Sequence, residues 1–125
     1  MGAATRAAVL EHLAAFNAHD TDRLLAGLDQ DVVWVTGSSV YHGTGQLRTD
    51  LFDQGLWELR PSLEARTLLV DGERAAAVVH EELVVDGEPR RFDIAVFFTV
   101  RAGRIHGVTV FREGIAGIEP ETGRP

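Results

Sequence analysis

Apolar positions recur along this chain with two different periods, helical before residue 60 and alternating after it. From Thr5 to Asn17, Val9, His12, Leu13 and Phe16 stand at i, i+3, i+4 and i+7, which is one stripe of an amphipathic helix. His12 lies on its apolar side. "HDTDRLLAGLDQD" starts a second, short helix, with Asp20 as N-cap, Asp22 at the positive end of the dipole, and Leu24, Leu25 and Leu28 as contacts. "DVVWVTG" is β-branched and aromatic, hence a strand ending at Gly37. "SSVYHGTG" reads as a loop into a third helix capped by Thr44 and anchored by Leu47, Leu51 and Phe52.

After "QGLWELRP" the pattern becomes strand and turn in alternation: 62 to 70, 74 to 85, 90 to 100 and 105 to 113, separated by "DGER", "DGEP" and "RAGR". Asp-Gly between alternating apolar runs is a strong hairpin signal, so the four strands form an antiparallel meander. Helices followed by a long meander mean α+β, a curved antiparallel sheet with its helices on one face.

The strand "VVHEELVV" raises the question of which charges point inward. Side chains alternate, so Val79, Glu81, Leu83 and Val85 share one face and Val78, His80, Glu82 and Val84 the other. The first set carries a single charge and is assigned inward. In the next strand the set Ile94, Val96, Phe98 and Val100 is greasier than the set Asp93, Ala95, Phe97 and Thr99. A sheet greasy on both faces needs a second cover. The greasy set is therefore assigned to a homodimer partner at the outer sheet face, and Asp93 and Thr99 to the interior. In the last strand Val108, Val110 and Arg112 point inward, and Thr109, Phe111 and Glu113 outward.

Composition narrows the function. A chain of 125 residues fits one domain, with a core over about 5–114 and a flexible Gly- and Pro-rich tail over 115–125. A formal charge of −7, from 12 basic and 19 acidic residues, argues against nucleic acid or an anionic membrane as partner. The absence of an apolar run of membrane-spanning length and of a signal-peptide pattern leads to an expectation of a cytoplasmic protein. The sequence has no cysteine, so a thiol nucleophile and a thiolate metal site are excluded. The histidines at 12, 19, 42, 80 and 106 lack metal-ligand spacing, "YHGTGQLR" lacks the Walker spacing and lysine, and no serine sits in a nucleophile elbow. Neither a metal nor another cofactor is expected.

Three helices, a strand between the second and third, and the meander resemble the nuclear transport factor 2-like superfamily, in its SnoaL-like and ketosteroid isomerase-like members. The motifs are "AAFNAHDTDRLLAGLDQDVVWV", "YHGTGQLR" and "VFFTVRAGRIHGVTVFREG". The resemblance implies a cone, often dimeric, whose three helices close a curved sheet over an apolar cavity with a few polar groups, the usual anatomy of a small-molecule site. His12 falls where ketosteroid isomerase has a hydroxyl donor. That enzyme's base falls on Thr36 and its protonated carboxylic acid on Ala95, so two of its three groups are missing. In the limonene epoxide hydrolase-like branch the first Asp falls on Glu81, the Arg on Val79 and the second Asp on Val110, so one carboxylate survives.

The candidate catalytic residues are accordingly Glu81, Asp93 and His12. Glu81 is a general base in an apolar cavity, or a rim carboxylate paired with Arg112 or Arg91. Asp93 is a second acid/base group, an orienter of His12, or a paired strand-end carboxylate. His12 is a proton donor or acceptor, or a satisfied core histidine. Arg112 binds a carboxylate or enolate oxygen, or pairs with Glu81. Trp34, Tyr41 and Trp57 line or lid the cavity, and Thr36 offers a polar contact. The expected function is proton abstraction from an apolar carbonyl compound, polyketide-like, leading to cyclisation, isomerisation or dehydration. Epoxide hydrolysis, ligand binding without catalysis and a dimeric scaffold are the alternatives.

Overall fold

In the computed structural model, residues 2–113 are described; the tail expectation for 115–125 lies outside them. Helix α1 (Ala3–Asn17) buries Val9, His12, Leu13 and Phe16, as its stripe predicts. It begins two residues earlier than the stripe indicates, and Thr5 Oγ1 ties this end down by donating to the Gly72 carbonyl at 2.7 Å. Helix α2 (Thr21–Ala26) is capped by the Asp20 side chain, which accepts from the Arg23 N–H at 3.1 Å. Leu24 and Leu25 of this short helix are buried.

Strand β1 (Leu28–Thr36) turns directly back as a short edge strand β2 (Ser39–His42), with Trp34 opposite Tyr41 and Thr36 opposite Ser39. The expectation of a loop at "SSVYHGTG" is thus corrected. Gly37, at φ 59°, allows a two-residue hairpin turn there. Helix α3 (Gly43–Leu47) has no side-chain cap, so Thr44 is not the N-cap. Instead Gln46 reaches back and its Oε1 accepts from the His42 N–H at 2.6 Å. The chain continues through a π-helical turn (Arg48–Phe52) and a 3-10 turn (Leu56–Leu59), which bring Leu51, Phe52 and Leu56 over the sheet.

The meander is β3 (Ser62–Asp71), β4 (Arg74–Val85), β5 (Glu88–Arg101) and β6 (Arg104–Arg112), and the six strands are ordered β2-β1-β6-β5-β4-β3. All neighbours are antiparallel except β1 and β6, which run parallel and set Trp34 beside Val108 and Thr36 beside Val110. The fully antiparallel expectation is corrected at that one pair.

The facing of β5 is opposite to the expected one. Ile94, Val96, Phe98 and Val100 are buried inward, while Phe97 is 50% exposed and Asp93 lies on the outer face. The reason is the β4–β5 turn. Asp86 and Gly87, both at positive φ, form a two-residue hairpin loop that pairs Val85 with Glu88. Directly opposed residues share a face, so an inward Glu81, opposite Phe92, forces the even-numbered residues of β5 inward. Glu81 and Asp93 cannot both face the interior. By the same alternation Ala95 faces away from the cavity, whereas on β6 Val108 and Val110 point inward and Phe111 outward.

Candidate functional site

Between the inner sheet face and the helical segments lies a cavity of about 270 Å³. Leu13 and Phe16 of α1 line it from one side, Leu51, Phe52 and Leu56 from above, and Leu63, Ile94, Val96, Phe98, Val108 and Val110 from the sheet. Its polar groups are few: His12, Thr36, Glu81 and Arg112, with Trp34 in the wall.

Glu81 is 4% exposed, as isolated among apolar neighbours as a carboxylate can be without leaving the charged state unpaired. Its partner comes from two strands away. Arg112 donates from Nε at 2.9 Å and from Nη2 at 2.7 Å, both to Oε1. The reach is possible because only β5 intervenes, about 10 Å of sheet at the ordinary strand spacing. Arg112 stands opposite Ile94 and Glu81 opposite Phe92, and the guanidinium carbon lies 5.8 Å from the Phe92 ring centroid. Among the described residues Oε2 of Glu81 takes no hydrogen bond. The Arg112 side chain is 28% exposed, so this end of the cavity is the one nearer solvent.

His12 is buried in the cavity wall, with its ring 5.6 Å from Trp34 and 5.7 Å from Phe98, centroid to centroid. Burial alone pushes its pKa down to about 4, so the imidazole is neutral at physiological pH. Its Nδ1 is sealed from solvent and has no partner among the described residues.

Trp34, Thr36 and Arg112 therefore reach the cavity with Glu81 and His12; Asp93, Tyr41 and Trp57 do not. Asp93 pairs with His80 Nδ1 on the outer face, and the His80 Nε2 accepts from Arg66 at 2.8 Å. It neither lines the cavity nor orients His12. Tyr41 is held on the edge strand against the core. Trp57 sits one layer behind the wall, stacked on Phe52 and His19 and edge-on to Phe16, because its indole N–H finds its acceptor in Thr21 Oγ1 at 2.8 Å. Arg91 pairs with Glu82, leaving Arg112 as the partner of Glu81. The inward Ile94, Val96 and Phe98 were assigned to the wrong face from sequence, although the Asp86-Gly87 turn carries the parity that places them.

Among the described residues no group of three or more His, Asp or Glu side chains is arranged to hold a metal. No helix among them is long and apolar enough to cross a membrane.

Comparison with known proteins gives the lineage. The family model for the SnoaL-like domain matches residues 9–108. A candidate ketosteroid isomerase from Kribbella flavida is 25% identical, with 98% of this chain and 82% of that chain covered and a TM-score of 0.75. TerC, co-crystallised with polyporic acid, superposes with a TM-score of 0.82 at 19% identity, over 92% of this chain and 95% of that one. A limonene epoxide hydrolase-like enzyme from M. tuberculosis gives 0.76 at 21% identity, over 85% and 80%. The last two likenesses bear on the fold alone. A search of curated proteins finds no match. The cone-shaped α+β architecture and the match over residues 9–108 together establish that the chain belongs to the SnoaL-like domain family of the nuclear transport factor 2-like superfamily.

Proposed function

We propose that this protein is a cofactor-independent enzyme that moves a proton on an apolar carbonyl compound of polyketide-like character. One observation carries the reading: a buried carboxylate, Glu81, in a mainly apolar cavity, with one oxygen held by Arg112 and the other without a partner among the described residues. Oε2 takes a proton from a carbon made acidic by conjugation to the carbonyl, and the electron pair of the broken C–H bond moves onto the carbonyl oxygen. His12, neutral and buried, donates a hydrogen bond to that oxygen. Glu81, now protonated, returns the proton to a different carbon for isomerisation, to the alkoxide formed by attack on a second carbonyl for cyclisation, or to a departing β-hydroxyl, which leaves as water, for dehydration. Arg112 is a positioning residue that fixes the carboxylate. Trp34 and Thr36 contribute wall and a polar contact.

The guanidinium–carboxylate pair also favours a second chemistry, water activation by Glu81 for epoxide opening. That reaction also needs an acid for the departing oxygen, and Val110 stands where the resembling branch has its second Asp. Proton transfer on a carbonyl needs no second acid.

The protein acts on this reading as a single cytoplasmic domain and as a homodimer. The supporting feature is the outer sheet face, where Phe97 at 50% and Phe111 at 59% exposure sit edge-to-face beside Val33 and Val78. Such a face favours a cover.

The test is deuterium exchange into aryl alkyl ketones in D2O, followed by NMR, with ligand affinity measured in parallel. Glu81→Gln should slow exchange by about 10²- to 10⁴-fold with affinity changed only a few-fold. Binding with no exchange above the buffer rate in the unmodified protein identifies a binding protein and refutes the enzymatic reading.

A further inference from the structure

The planar guanidinium of an arginine presents its N–H donors along a side edge, Nε with one Nη, and an end edge between the two Nη atoms. Arg112 gives Glu81 only the first. Its Nε–H and one Nη2–H both go to Glu81 Oε1, at 2.9 and 2.7 Å. The end edge, made of the Nη1 hydrogens and the second Nη2–H, has no partner among the described residues. The exposed Arg91 grips Glu82 in the same way and leaves its end edge to bulk water. Arg112 differs in place, since its side chain is only 28% exposed and lines an apolar cavity.

Two contacts hold the free edge in position. The buried Glu81 fixes the side edge from within, and the Phe92 ring, 5.8 Å from the guanidinium carbon, stands against one face of the plane. An arginine already ordered by such contacts loses little side-chain freedom when it takes a further partner.

The surroundings narrow what that partner is. Among the described residues Arg112 is the only arginine lining the cavity, His12 there is neutral, and the neighbours Leu63, Ile94, Val96 and Val110 are apolar. A fork of parallel N–H groups fits the two oxygens of a carboxylate. A neutral carbonyl oxygen offers that fork one acceptor atom and no charge. A doubly charged phosphate would oppose the Glu81 carboxylate across a single cation. A carboxylate adds one negative charge, at a position open enough to water for the repulsion to be screened.

We propose that the ligand of this cavity carries a carboxylate, held by the Nη1–Nη2 edge of Arg112 where the cavity meets solvent, with its apolar body inside. A volume of about 270 Å³ takes a body of about one aromatic ring and a short chain. The inference rests on the preceding reading in taking this cavity as the ligand site, and makes its substrate an apolar keto acid. It does not require Glu81 to be the base, and the experiment keeps the two apart.

Isothermal titration calorimetry at pH 7 compares 4-oxo-4-phenylbutanoate with 4-oxo-4-phenylbutanamide and valerophenone, which share its phenyl ketone and differ at the end of the chain. The acid should bind at least about ten-fold tighter than either. Glu81→Gln keeps an acceptor for Arg112 and removes the opposing charge, so the acid should gain about three- to ten-fold while the amide changes by less than about two-fold. In Arg112→Met the advantage of the acid should vanish. Because that variant strands a buried carboxylate, Glu81→Leu combined with Arg112→Met repeats the measurement in a protein with neither charge, and the advantage should be absent there too. An acid bound no tighter than the amide, an acid weakened in Glu81→Gln, or an advantage that persists without Arg112 overturns the proposal. Deuterium uptake at the methylene beside the ketone is followed in parallel in the acid and in valerophenone. An advantage for the acid with no uptake in either overturns Glu81 as base and leaves the carboxylate anchor standing; uptake in valerophenone with no advantage for the acid overturns the anchor and leaves the base.

Discussion

Replacing His12 by phenylalanine should make the protein more resistant to acid, and the size of the effect follows from burial. The imidazole is 6% exposed and its pKa is pushed down to about 4, against 6.5 for the free side chain, by desolvation. A base whose pKa is depressed on folding is bound by protons more tightly in the unfolded chain, so its ionisation draws the equilibrium toward unfolding as pH falls. The stability that depends on a neutral His12 is fully present above about pH 6.5 and is lost progressively down to about pH 4. Integrating the linkage over a shift of that size gives a loss of about 2 kcal/mol between pH 7 and 5 and about 3 kcal/mol by pH 4. Phenylalanine keeps a ring against Trp34 and Phe98 and carries no titrating group. It also removes a buried nitrogen without a partner among the described residues, which should add about 1 kcal/mol at pH 7. Urea unfolding at pH 7, 6, 5 and 4 of both proteins provides the measurement. The two proteins differ at this one side chain, so the difference of their stabilities isolates His12. A difference that stays constant from pH 7 to pH 4 would falsify the placement of a buried, neutral imidazole in the cavity wall.

Arg112→Met removes the partner of a buried carboxylate and should cost about 1–3 kcal/mol in urea unfolding, discounted for the part of the arginine that reaches solvent. Glu81→Leu combined with Arg112→Met should recover most of that loss, and a double variant no more stable than the single one would argue against a coupled pair. Phe98→Ala opens a void in the cavity floor and should cost about 3–5 kcal/mol by the same assay. Asp93→Asn should leave exchange into ketones unchanged, since the side chain lies on the outer face, and a ten-fold drop would return Asp93 to the site. Phe97→Asp should convert the proposed homodimer to a monomer in sedimentation velocity without lowering the stability of the protomer, because Phe97 is already half exposed.

The elements themselves were written in the sequence. A 3.6-residue stripe placed α1, Asp20 capped α2, and Asp-Gly pairs between alternating apolar runs marked the hairpins, because these are local signals carried by neighbouring residues. The inward set of β4, with Glu81, followed from alternation on a strand where one face carries a single charge, whereas Val108, Val110 and Arg112 of β6 were placed inward by analogy with it. On β5 both faces are greasy, so the pattern by itself pointed the wrong way and sent Asp93 inward. The correct answer was present in the Asp86-Gly87 turn, whose two-residue loop fixes the parity of one strand from the other. Edge strand β2 was hidden by its length of four residues and its polar composition.

What the sequence determined by itself was the periodicity, the turns and the presence of one lone acid on an apolar strand face, all properties of residues close along the chain. Only the folded sheet decided that Arg112, 31 positions from Glu81, is the residue that pairs with it, and that Trp57 braces the cavity wall from behind. Those outcomes depend on which strands become neighbours and on how far a side chain reaches across the one between them. The parallel pairing of β1 with β6, which sets Thr36 and Trp34 beside the last strand, is of the same kind. No local pattern encodes it, because it is fixed by burying one shared face under the helices.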